Sequence, residues 1–193
     1  RISGNTVLDG NYWETGYGGG VYNDGTLTIS NSTINDNAAG ISGGGIFSRS
    51  GTIRVESSIV SGNTATNSNG RGGGINASDS SVVVTNSSFT DNHADYSGGA
   101  IVGKDSIVAI SDSQFSQNTA RWGGAISMAA SDLSVIDALS TDNDATNSGG
   151  GLHLYNSNGD DRQTVAVISG TTIADNTAAG TGGAIRNSDR LSL

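Results

Sequence analysis

Apolar residues recur along this chain as short alternating pairs set among Gly, Ser, Thr, Asn and Asp. The pairs are Leu27/Ile29, Ile53/Val55, Val82/Val84, Val108/Ile110, Leu133/Val135, Ala166/Ile168 and Leu191/Leu193. Alternation with period two predicts a strand with one face buried. A second apolar position, Ile2, Ile34, Val60, Phe89, Phe115 or Ile173, stands three residues before an Asn in six of seven copies. The Asn residues are Asn5, Asn37, Asn63, Asn92, Asn118, Asn143 and Asn176, and two places after each comes Ala or, once, Val7. The copy ending at Asn143 has Ser140 in the apolar place, so a local slip that brings in Leu139 is expected there. The third marker, Gly-Gly-(Gly/Ala)-aliphatic, occupies residues 18–21, 43–46, 72–75, 98–101, 123–126, 149–152 and 182–185.

First glycines of successive motifs are 25, 29, 26, 25, 26 and 33 residues apart. A near-constant period of this size marks a solenoid in which each unit contacts only its neighbours. Helical spacing is absent, and the density of Gly, Ser, Asn and Thr opposes helix. The prediction is an all-β, right-handed parallel β-helix. It has about seven coils of roughly 25 residues, with three short strands per coil and a length of roughly 30 Å at ~4.8 Å per rung. Val21, Ile46, Ile75, Ile101, Ile126, Leu152 and Ile185 then form one internal column, and Phe89 stacks on Phe115 in another. The Asn residues are expected to turn inward as a hydrogen-bonded ladder that satisfies buried backbone groups. The glycines allow φ > 0 or close approach of neighbouring coils at the next corner. Residues 1–193 read as one domain, with loop insertions near 7–17, 64–71 and 155–163, where function collects in solenoids. Both ends present unpaired strand edges, which predicts a segment of a longer repetitive chain or end-to-end stacking with further coils.

Composition narrows the partners. Thirty-four per cent hydrophobic residues, three Phe and two Trp leave a core of small and β-branched side chains. A net charge of −9 argues against a nucleic-acid partner, since phosphate binding needs a cationic surface. No apolar run reaches the ~20 residues that span a bilayer. The chain has no Cys, which fits export but also suits other compartments.

Candidate chemistry is sparse. Asp160, Asp161 and Arg162 sit together in the longest insertion, and paired carboxylates can divide acid and base roles. A solvated loop is the simpler reading. No cluster of acids, or of Lys and Arg, recurs at matching coil positions, so the charged groove that would favour an enzyme is not expected. His93 and His153 read as outward-facing strand or turn residues. Sixteen Asp against two Glu raise calcium, but the Asp fall singly, as at Asp36, Asp91, Asp142 and Asp175 beside ladder Asn residues. No cofactor is expected beyond incidental calcium. Trp13, Tyr17, Tyr96, Arg121 and Trp122 lie just before glycine motifs, where they either stack on a sugar or partner or cover the core at a corner.

The paired signatures, Gly-Gly-Ala-Ile at 98–101, 123–126 and 182–185 and Phe-x-x-Asn at 89–92 and 115–118, resemble the repeats of the chlamydial polymorphic membrane proteins. That resemblance implies the β-helical passenger of an autotransporter, displayed extracellularly or at the cell surface and acting in adhesion. A non-enzymatic adhesin stalk or binding module for a host or environmental protein or glycan is therefore expected. The alternatives are a polysaccharide lyase or hydrolase using Asp160, Asp161 and Arg162, and a structural subunit of a filament or sheath.

Overall fold

The computed structural model describes residues 1–8, 15–156 and 162–193. Among them every regular element is a strand, and the strands form four parallel sheets of seven strands each. The coil from Ser88 onward shows the plan: sheet A holds Ser88–Thr90, sheet B His93–Ser97, sheet C Ile101–Lys104 and sheet D Ile107–Ser111. Each strand pairs with its equivalents one coil before and one coil after, so the chain winds as a parallel β-solenoid. A fourth strand per coil therefore accompanies the three expected. It follows the ladder Asn and is often two residues long, as at Thr64–Ala65, too short for period-two alternation to register in sequence.

Register places like on like. Ile46, Ile75, Ile101, Ile126 and Leu152 stack in sheet C and are buried. Phe89 and Phe115 stack at 5.0 Å with their planes 16° apart, fully inside. The slip to Leu139 does not occur. Ser140 stays in register with Phe115 and Ile173, and Leu139 pairs with Gln114 on the outer side. A one-residue shift would turn the whole strand over. Ser140 instead uses its hydroxyl inside, accepting from Asn143 Nδ2 at 3.2 Å.

The Asn ladder runs the full length. Asn63 Nδ2 donates to Asn92 Oδ1 at 3.0 Å and to the Ile34 carbonyl at 3.0 Å, while its backbone N–H donates to the same Asn92 Oδ1 at 3.1 Å. The pattern repeats from Asn5 to Asn176. Two other corners carry serine ladders that the sequence reading missed. Ser58 N–H donates to Ser87 Oγ and Ser87 N–H to Ser113 Oγ; Ser80 N–H donates to Ser106 Oγ and Ser106 N–H to Ser131 Oγ. Each Ser stands two residues before a column residue, which is the signal that could have revealed it. At the glycine corner Gly98 has φ 61°, and a Cβ on Gly99 would strike the backbone of Gly124 and Thr119.

Candidate functional site

Immediately before each glycine corner a bridging ladder runs through Tyr17, Ser42, Arg71, Ser97, Trp122, Ser148 and Thr181. Immediately after it sheet C begins, and its first outward row is Tyr22, Phe47, Asn76, Val102, Ser127, His153 and Arg186. Outward residues of a solenoid are normally wet. Here Phe47, Asn76, Val102, Ser127 and His153 are buried, and for Phe47 and His153 a ring from before the corner lies against them. The Tyr17 ring lies 4.6 Å from Phe47, and the Trp122 ring 5.1 Å from His153.

The result is a groove along the solenoid axis with two hollows. One, of about 280 Å³, is lined by Tyr17, Phe47, Arg49, Arg71, Asn76 and Lys104 among others. The other, of about 320 Å³, is lined by Tyr96, Ser97, Trp122, His153, Tyr155, Arg186 and Ser188. Arg71 joins them, its guanidinium 5.1 Å from the centre of the Tyr96 ring. The hollows span coils that begin at Tyr17 and end at Arg186, roughly 30 Å at ~4.8 Å per rung.

Charge is segregated in this groove. The chain carries 18 acids and nine Lys and Arg. Arg49, Arg71, Lys104 and Arg186 line the two hollows, and among the described residues no Asp or Glu does. The absence of a charged groove expected from sequence is thus corrected: the cations come from different rows and coils, and only the winding brings them together.

Three buried polar atoms along the groove lack a partner: Arg71 Nε, Ser127 Oγ and His153 Nδ1. An unsatisfied buried polar group costs about 1–3 kcal/mol, so these three atoms mark where the wall beside the glycine corner is least well paired. Burial, and then the nearby Arg186, pull His153 down to about 4, which leaves it neutral at pH 7. Burial raises the Tyr155 phenol above its ordinary value, with Arg71 opposing and Tyr96 reinforcing, so it remains a hydrogen-bond donor.

A model of the right-handed β-helix region matches residues 1–166. The chain belongs to that family. Neither a curated relative nor a solved structure matches it. Right-handed β-helix proteins include both surface proteins and polysaccharide-degrading enzymes, so membership fixes the fold and leaves the function to the site.

In this β-helix three of the residues expected to bind, Tyr17, Tyr96 and Trp122, lie on the groove. Arg121 is exposed with its guanidinium 5.8 Å from the Trp122 ring, and it lines neither hollow. Trp13 lies outside the described residues, as do Asp160 and Asp161. Arg162 sits 3.5 Å from Asp132 in a half-exposed pair away from both hollows. Asp36, Asp91, Asp142 and Asp175 occupy left-handed corners with φ between 54° and 56°, the conformation short polar side chains tolerate. Among the described residues no three His, Cys, Asp or Glu side chains gather closely enough to hold a metal ion.

The groove residues that sequence reading passed over are Phe47, Arg49, Arg71, Lys104, Tyr155 and Arg186. Most stand one or three places after the aliphatic of the glycine motif. His153 lies in the outward row of sheet C, where outward means into the groove wall.

Proposed function

We propose that this β-helix is a non-enzymatic binding module that holds an extended carbohydrate chain along the groove beside the glycine corner. One observation carries the reading: partly exposed aromatic side chains at Tyr17, Tyr96 and Trp122 share an axial groove with Arg49, Arg71, Arg186 and other polar side chains. Rings offer stacking faces to sugars, and polar side chains that line the hollows, such as Asn69, Ser78 and Ser188, offer hydrogen bonds to hydroxyls. The GGAI and FxxN repeats support placing the module at the cell surface or in a secreted adhesin, with the coils as a rigid spacer.

Cations in the groove are the feature that favours a lyase or hydrolase. Catalysis is still the weaker reading, because the groove lacks acids and a matched base among the described residues. Hydrolysis by paired carboxylates needs two acids in the groove, and none lines it among the described residues. Elimination needs a base matched to the working pH. Tyr155 is held protonated, and His153, at about 4, is too weak. The test is binding on a glycan and extracellular-matrix array, with mass spectrometry of each bound polysaccharide. Binding with intact polysaccharide is the expected result. Released oligosaccharides would replace this reading with an enzyme, and silence on every glycan would end it.

A further inference from the structure

We infer that the groove selects an acidic glycan, one bearing carboxylate or sulfate groups, and that Arg71 and Arg186 are the residues that read its charge. This rests on the carbohydrate reading above and goes beyond it by naming the ligand's chemistry.

The first observation is electrostatic. In a chain of net charge −9, four of nine cationic side chains line the groove and no described acid joins them. Of the five cations elsewhere, two find acids among the described residues: Arg54 lies 2.8 Å from Glu56 and Arg162 3.5 Å from Asp132. In the groove Lys104 has a loose neighbour in Asp105 at 3.7 Å, while Arg49, Arg71 and Arg186 make no ion pair among the described residues. The Arg49 guanidinium rests 5.8 Å from the Phe47 ring, and Arg186 Nη1 donates to the Asn187 carbonyl at 2.9 Å. Positive charge held together without its counter-charge is destabilising in the free protein and complementary to an anion.

The second observation is steric and polar. Ser127 is 1% exposed and His153 is 9% exposed, they are register neighbours in sheet C, and each holds a buried polar atom without a partner. Arg71 Nε is a third such atom, on the guanidinium that bridges the two hollows. Arg71 lines the first hollow without an ion-pair partner among the described residues, and a guanidinium suits the forked geometry of a carboxylate or sulfate. Asn69, Ser78 and Ser188, which line the hollows, suit sugar hydroxyls. Tyr96, Trp122 and Tyr155 supply ring faces between the two arginines. Isolated anions would use the charges alone; a charged sugar uses all three elements.

The experiment measures binding of the whole chain to sodium polygalacturonate, dextran sulfate, neutral dextran and poly-L-glutamate by calorimetry at two salt concentrations. Arg71→Gln and Arg186→Gln are compared with Arg54→Gln, which lies outside the groove, and thermal melts check that each variant folds. The expected result is binding to one or both acidic glycans, weaker at high salt. Each groove variant then lowers affinity about ten-fold or more, the loss expected for a charge-assisted hydrogen bond, and Arg54→Gln changes nothing. Preference between the carboxylated and the sulfated polymer tells which anion the arginines read. Equal binding of neutral dextran, unaffected by Arg71→Gln and Arg186→Gln, overturns the charge selection while leaving a carbohydrate site. Arg-dependent binding of polyglutamate as tight as that of the acidic glycans overturns it as a general polyanion site. No binding to any sugar polymer overturns both readings.

Discussion

The two sides of sheet C are made by the same strands and follow opposite rules. Inward, the column reads Val21, Ile46, Ile75, Ile101, Ile126, Leu152 and Ile185, nearly one residue written seven times. Outward, one position on, it reads Tyr22, Phe47, Asn76, Val102, Ser127, His153 and Arg186, with no residue repeated. Stacked coils force the inner sameness, because each side chain packs on its own equivalent one rung away. Free outer rows of a solenoid vary because nothing constrains them. This outer row is not free: five of its members are buried, and two hold polar atoms without partners. Buried, varied and unsatisfied together separate a site from a scaffold.

Breaking the inner rule should cost the most. Asn118→Leu removes the acceptor shared by the backbone N–H and Nδ2 of Asn92 and the side-chain donor to the Phe89 carbonyl, while Asn143 Oδ1 keeps only the Asn118 backbone N–H. Several buried groups orphaned at 1–3 kcal/mol each put the loss at about 4 kcal/mol or more. Urea unfolding should register it as a large drop in midpoint, with glycan affinity unchanged at native-state conditions. A loss under about 1 kcal/mol would mean that the ladder is ornamental and that packing alone holds the corner.

That asymmetry also explains what could be read in advance. The columns, the Asn ladder and the glycine corner were legible because each coil repeats them, and repetition multiplies a weak local signal. The fourth strand was hidden by its length, and the serine ladders by Ser being common throughout the chain. Leu139 misled because a hydrophobicity rule chose it over Ser140, whereas register is set by the whole strand and by Asn143 beside it. Tyr17, Tyr96 and Trp122 were picked out as aromatics in an aromatic-poor chain. Arg49, Arg71 and Arg186 were not, since their meeting depends on the coil pitch and on insertions that shift sequence distance without shifting rung position.

On the outer side the sharper probe is pH. His153 is neutral in the folded protein down to about 4 and gains its proton near 6.5 once unfolded. Above 6.5 neither state is protonated and the group contributes nothing. As pH falls from 6.5 towards 4 the unfolded chain takes up the proton first, so stability is lost across that window and levels off below it. At ~1.4 kcal/mol per unit the ceiling is about 3 kcal/mol, reduced by solvent that reaches an open groove. Arg186, Trp122 and Tyr155 are the groups that face the ring. His153→Gln should therefore flatten the stability curve between 4 and 6.5, measured as unfolding midpoints against wild type. Parallel curves would mean that the ring is hydrated and the groove wall is open.

Arg162→Gln sharpens the contrast from the smallest end. Its pair with Asp132 is half exposed at 3.5 Å, and exposed pairs contribute from nothing to about 1 kcal/mol. Stability should shift by less than about 0.5 kcal/mol and glycan affinity not at all, in calorimetry run beside Arg186→Gln. Both are arginines of late coils in the same acidic chain, and the substitution is chemically the same. They differ in surroundings: one has its acid on the surface of sheet D, the other sits without one in a groove of rings. Loss of function from Arg162→Gln equal to that from Arg186→Gln would move the site to the 155–163 insertion, and the chemistry with it.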